Sequence, residues 1–243
     1  MSQSKPLVAM IHSNFRAASA ADEVFAEVIP EAALWNILDD QLVRAVRSVG
    51  ELTSPLSQRM LRLVDHALTE GADVVQFTCA TYGPVADIAR SFSDRPVYTS
   101  DQALWEHLLA NGTTRVGILA AHPTALLAAI EQLEWHAVNA GKAVDIETLL
   151  GEEALDARDR TDALTQSLVR AATGTRAEVV VLAQYSLSPL AAVLSERLGL
   201  PVYSGVRPAA EWIRDDLAVG NIREADVTPL VPRSSSRRGY TTA

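Results

Sequence analysis

The chain has 243 residues, 48% hydrophobic, 21% charged and 5% aromatic, with a formal net charge of -9. That length buries an ample core without disulfides or structural metal, and a single cysteine, Cys79, excludes an intrachain disulfide framework and a multi-thiolate zinc site. The acidic balance argues against a nucleic-acid groove or a polybasic membrane surface. No apolar run reaches the ~18 residues of a membrane span, and the short polar start before Leu7 lacks the pattern of a secretory signal. The expectation is a soluble cytoplasmic protein with no nucleic-acid or membrane partner.

Short apolar runs alternate with amphipathic stretches along the chain. Strands are expected at Leu7–Ile11, Ala33–Leu38, Asp73–Thr78, Pro96–Thr99, Arg115–Ala120, Val144–Leu149, Glu178–Ala183 and Pro201–Ser204. Their continuous apolar character, as in Val179-Val180-Val181-Leu182, suits parallel strands covered on both faces. Ser54 followed by Pro55 predicts an N-cap and first helical position. Leu56, Met60, Leu63, Val64, Ala67 and Leu68 then form one apolar face, and Gly71 ends the helix. Asp39 and Asp40 read as the cap of a helix starting near Gln41. Further helices are expected at Thr124–Asn139, Arg160–Ala172 and Pro189–Leu198, the last capped by Ser188. This alternation predicts an α/β fold with parallel sheet.

An internal repeat sharpens the prediction. Placing Ala72–Tyr98 under Ala177–Tyr203 without a gap makes eight of 27 positions identical, including both prolines and the Pro-Val-Tyr triplet. Weaker correspondence links Leu7–His12 with Gly117–His122. Two pseudo-symmetric halves of Rossmann/flavodoxin-like kind follow, with a cleft between them: residues 1–100, then 101–205, with a helix at 206–220 returning to the first half. Residues 221–243 read as a tail, in which Leu230-Val231-Pro232-Arg233 matches a protease cleavage sequence and is left out of the functional reading.

Ligands of open parallel sheets bind beyond the carboxyl ends of the strands, beside helix N-termini. Cys79 follows such a strand and leads through Ala80-Thr81-Tyr82-Gly83 to Pro84 and a helix. A thiol there is placed to exchange a proton with a carbon acid, while Thr81 and nearby amides hold a carboxylate; the alternative is a buried cysteine capping a strand. The repeat puts Gln184 at the equivalent point, followed by Tyr185 and Ser186. Gln184 hydrogen-bonds but does not titrate near neutrality. His12 and His122 follow the first strand of each half and are expected to border the cleft, whereas His66, His107 and His136 read as structural or surface residues. Histidine pairs with metal-ligand spacing and a phosphate-binding glycine motif are both missing from the sequence.

These residues carry a resemblance. Gly71-Ala72-Asp73-Val74-Val75 leading to Cys79-Ala80-Thr81, the Arg115–Ala120 strand with Thr124 after it, and Val179–Gln184 leading to Pro201-Val202 resemble the aspartate/glutamate/hydantoin racemase superfamily over roughly Leu7–Leu217. The resemblance implies a cofactor-independent, metal-free enzyme in which thiols from two halves flank the α-carbon of a small carboxylic acid. It implies Cys79 as acid/base, Gln184 where the second cysteine stands, and a homodimer. His12 is the candidate to assist in catalysis, with His122, Tyr185 or water as other proton sources. Ser13, Asn14, Ala80, Thr81, Thr124, Tyr185 and Ser186 are expected at the substrate. The missing second thiol leaves three readings open: isomerase or racemase of an amino or hydroxy acid, decarboxylase or lyase of an activated acid, or a binding module without chemistry.

Overall fold

The computed structural model describes residues 5–151 and 161–219. The first half runs β1 (Leu7–His12), α1 (Phe15–Val28), β2 (Ala33–Leu38), α2 (Asp40–Val49), α3 (Ser54–Thr69), β3 (Val74–Phe77), α4 (Gly83–Arg90) and β4 (Val97–Tyr98). After α5 (Gln102–Ala110) come β5 (Arg115–Ala120), α6 (Pro123–Asn139), β6 (Asp145–Leu150), α7 (Thr161–Ala172), β7 (Val179–Leu182), α8 (Ala191–Leu198), β8 (Val202–Ser204) and α9 (Val206–Ala218). Among the described residues the strands form two parallel four-stranded sheets, ordered β2-β1-β3-β4 and β6-β5-β7-β8. The expected tail 221–243 and Arg160 lie outside the described residues. No described helix is long and apolar enough to cross a membrane.

Each central strand is buried on both faces because helices cover both, which is why β7 is wholly apolar and β1, β3 and β5 are apolar but for His12, Gln76 and Arg115. Successive side chains alternate between faces. Ala9, Ile11, Val75 and Phe77 pack with Leu42, Met60 and Val64 of α2 and α3. Val8, Met10 and Val74 face the opposite way, onto Ala17 and Phe25 of α1 and Ala209 and Ile213 of α9. The second sheet repeats the arrangement between α5 and α6 on one face and α7 and α8 on the other.

The repeat is reproduced in three dimensions. Val75 pairs with Val97 and Gln76 with Tyr98, while Val180 pairs with Val202 and Val181 with Tyr203. The register also corrects the weaker correspondence. Val8 pairs with Val74 and Val116 with Val179, so Leu7–His12 matches Arg115–Ala120 rather than Gly117–His122. Asn14 and His122, the residues preceding α1 and α6 in extended backbone conformation, are therefore the equivalent pair.

Two caps differ from expectation. The carbonyl of Thr53 accepts from the Ser57 amide at 2.9 Å, making Thr53 the N-cap and Ser54 the first helical residue. Ser188 is no cap at all. The Leu187 amide bonds to the Gln184 carbonyl at 3.0 Å, opening a 3-10 turn, Tyr185–Leu190, that contains Pro189 and delays α8 to Ala191. Asp39 does cap α2, its Oδ1 accepting from the Gln41 amide at 3.1 Å.

The helix that ends each sheet unit packs on the other half. α5 leaves β4 for the second sheet, and α9 leaves β8 for the first. Their entry points touch where Ser100–Asp101 meets Gly205. Tyr185 clamps this crossing by donating its hydroxyl to the Ser100 carbonyl at 2.7 Å, with the Gly205 carbonyl at 3.3 Å. A methyl carbon on Gly205 would lie 2.6 Å from the Ser100 carbonyl oxygen and closer still to Asp101 Oδ1. Backbone at a crossing cannot retreat as a flexible side chain can, so Gly205→Ala is expected to destabilise by about 3 kcal/mol. Urea unfolding measures this, and an unchanged midpoint would show that the two strands of chain separate freely.

Candidate active site

The strand ends that the sequence singled out converge. Cys79 and Gln184 each precede a 3-10 turn in nearly the same extended conformation, φ -138, ψ 117 and φ -142, ψ 128. Both side chains line one cavity of about 30 Å³, with Ser13, Asn14, Ala80, Thr81, Thr124, Tyr185 and Ser186. Cys79 is half-buried, packed on one side against the core under α2 and α3. The cavity has room for about two water molecules, so its walls must part to admit a substrate.

Local chemistry explains how each wall residue is held. The Gln184 Oε1 accepts from the Ala121 amide at 2.8 Å, tying the second half's turn to the end of β5. The Asn14 Oδ1 caps α1 by accepting from the Ala17 amide at 2.9 Å, and its amide nitrogen donates to Ser13 Oγ at 3.3 Å. The Ala80 carbonyl accepts from Gln132 Nε2 at 2.7 Å, anchoring the Cys79 turn to α6.

Two expected residues are placed differently. Tyr185 borders the cavity, but its hydroxyl is spent at the half-to-half crossing and does not face a reacting carbon. Burial, then the nearby Asp101 carboxylate, raises its pKa well above the usual phenol range, so it serves as a structural clamp rather than a proton source. His12 does not border the cleft. It is the last residue of β1, wholly buried, and absent from the cavity wall. The Asn36 amide donates to Asp22 Oδ1 at 2.8 Å, which leaves Asn36 Oδ1 to accept from His12 Nε2–H at 2.8 Å. Nδ1 lies 2.9 Å from the Thr78 hydroxyl, which also reaches the Ile11 carbonyl at 3.1 Å. Burial lowers the His12 pKa, only partly offset by the Asn36 bond and the Asp22 charge. The ring, bonded to Thr78 of the cavity wall, stands one side chain behind that wall, because alternation along β1 puts His12 on the α1 face with Met10, near Asp22.

His122, expected at the cleft, is not in the wall of this cavity, because the chain enters α6 there and brings Thr124 and Ala125 to the wall instead; His66, His107 and His136 do not line it either. His66 meets Trp35 edge-on at 5.3 Å, and Asn111 pairs with His107 at 2.9 Å. Among the described residues no three His, Cys, Asp or Glu side chains are grouped to hold a metal ion.

The sequence reading missed Arg47. It lines the cavity from α2, is exposed, and forms no ion pair among the described residues. Its signal was the cation one residue beyond the buried Val46 of an amphipathic helix, but periodicity does not tell which sheet end a helix overhangs. An unpaired guanidinium beside a thiol is suited to a carboxylate.

Comparison with known proteins places this geometry. The chain aligns with allantoin racemase from Klebsiella pneumoniae at 16% identity and a TM-score of 0.65, covering 88% of this chain and 89% of that one. A glutamate racemase from Bacillus anthracis gives 13% identity and a TM-score of 0.71, covering 90% and 84%. Aspartate racemase from Picrophilus torridus gives 12% and 0.63, covering 86% and 94%. At such identities these likenesses concern the fold. No curated relative matches the sequence. The Asp/Glu/Hydantoin racemase family model matches residues 17–213, most of the chain and both halves around the cavity, and the protein belongs to that family.

Proposed function

We propose that the protein is a cofactor-independent isomerase acting at the carbon alpha to the carboxylate of an amino or hydroxy acid, with Cys79 as acid/base. One observation carries the reading: the single thiol and Gln184 stand at pseudo-equivalent strand ends and line the same cavity, with Arg47 at its side. Arg47 and the amides of the Cys79 turn hold the carboxylate. The Cys79 thiolate takes the proton from the α-carbon, and the electron pair left behind spreads into the carboxyl group as an enediolate. The guanidinium and neutral donors such as Thr81, Thr124 and Ser186 stabilise that charge. A proton then returns to the carbon from the thiol, or from water on the Gln184 side.

A second reading has support in the same wall. Gln184 orients by hydrogen bonding but holds no proton to transfer, and the Tyr185 hydroxyl is engaged elsewhere. A site with one acid/base suffices for decarboxylation, in which the bond to the departing carbon dioxide breaks, its electron pair remains on the α-carbon, and the thiol proton quenches it. Loss of the second thiol also fits a binding module on the same fold.

Incubation of a panel of 2-substituted acids in heavy water separates the three. The isomerase reading expects deuterium at the α-carbon by NMR, together with formation of the antipode. Carbon dioxide release with one deuterium incorporated replaces it with the lyase. Binding by calorimetry with neither exchange nor gas release overturns both.

A further inference from the structure

A second, larger cavity of about 610 Å³ adjoins the first. Ala80, Thr81 and Thr124 line both, so they form a common wall. Two helices flank both as well: α2 sends Val43 and Arg47 to the small cavity and Val46 to the large one, while α6 runs from Thr124 past both. The larger space is thus the outward continuation of the site around Cys79, and its volume is that of a typical small-ligand pocket.

Its lining restricts what fits. Leu52, Pro84, Leu127, Ala128 and Trp135 supply apolar surface, with Leu127 and Trp135 more than half exposed. The charges are mostly acidic: Glu51, Asp87, Glu106 and Glu131. Arg90 is already committed to Asp87, to the Val97 carbonyl at 2.7 Å and to Gln102 at 2.8 Å. A second carboxylate on a ligand would meet like charge and no unpaired cation among these residues. Two buried polar atoms of its lining residues, the hydroxyl of Thr99, a residue 7% exposed, and Gln132 Oε1, make no hydrogen bond among the described residues.

The geometry points to this cavity as the seat of the substrate's distal group, and to that group being bulky, uncharged and apolar, of aromatic-ring size or larger. The substrate class is a 2-substituted monocarboxylic acid rather than a dicarboxylic amino acid. Arg47 and the amides of the Cys79 turn answer the carboxylate at the small cavity, and the large one accepts the remainder. This deepens the Cys79 reading and rests on it for the position of the reacting carbon.

Calorimetry with 2-naphthylacetate, succinate and acetate as probes tests it on the intact protein. The wild type is expected to bind 2-naphthylacetate at least tenfold more tightly than either other acid. Ala128→Phe, which fills the cavity, and Trp135→Ala, which strips one wall, should each bring that ratio towards one. Because Trp135 is largely exposed, its variant keeps the test open should Ala128→Phe fail to fold. A wild-type ratio near one, or a ratio unmoved by both variants, overturns the inference. So does gel filtration showing that a second copy covers the cavity while 2-naphthylacetate gains nothing over acetate. Cys79→Ala should keep the ratio. A preserved ratio without isotope exchange in any acid would therefore sink the chemistry alone, and exchange without the ratio would sink the substituent class alone.

Discussion

Cys79→Ala is expected to lower deuterium incorporation at the substrate's α-carbon by about 10²–10⁴-fold, the usual contribution of a positioned acid/base. Cys79→Ser should fall nearly as far, because the alkoxide of serine is far less available near neutrality than a thiolate. Binding of a carboxylic acid should survive both changes, since Arg47 and the amides of the Cys79 turn remain. The split between retained binding and lost exchange separates a chemical role from a structural one. Cys79 is half-buried and only edges the core cluster, so the urea midpoint of either variant should stay near that of the wild type. Full exchange by Cys79→Ala would end the thiol mechanism. It would also redirect attention to water activated elsewhere on the wall, because His12 and the Tyr185 hydroxyl are both committed to other partners.

Asp101→Asn is expected to stabilise the protein at pH 8 but not at pH 4. The carboxyl sits at the crossing between the halves, 2% exposed, with Ser100 Oγ donating to Oδ2 at 2.6 Å and Oδ1 without a partner among the described residues. Burial pushes its pKa up to about 6, and the Ser100 bond offsets only part of that. The ordinary value of 3.8 applies to the unfolded chain. Below 3.8 both states are protonated and the group is neutral towards folding. Between that value and 6 the unfolded chain releases a proton that the folded protein keeps, so wild-type stability declines as pH rises. Above 6 the full penalty is present, on the order of 3 kcal/mol. Asparagine carries no such penalty. The difference in unfolding free energy between variant and wild type should therefore grow by about that amount from pH 4 to pH 8, while titration of His12 cancels in the comparison. Parallel stability curves would show that water or a shifted backbone solvates the carboxylate.

The residues that carried the fold reading did so for local reasons. Apolar runs such as Val179–Leu182 need cover on both faces wherever they occur, and Pro84 fits a helix start in most contexts. The repeat made the positions of Cys79 and Gln184 equivalent before any contact was known, because equal spacing from equal strands puts two residues at equal ends of two sheets. His12 misled for the opposite reason. Its place after a strand was legible, yet whether the last side chain of β1 meets solvent or Thr78 depends on Asn36 and Asp22, which arrive from β2 and α1. Tyr185 likewise lay at the right turn, but the carbonyls that claim its hydroxyl belong to Ser100 and Gly205.

By itself the sequence determined two parallel α/β units, their internal likeness and a lone thiol at a strand end, since hydrophobic periodicity and turn chemistry act over a few residues. Tertiary structure alone decided that Tyr185 clamps the crossing of the two halves and that Arg47 lines the same cavity as the thiol. It also decided that a wide, acid-rimmed cavity opens beside the site. Those outcomes depend on which distant surfaces bury each other, and burial is a property of the packed chain rather than of any segment in it.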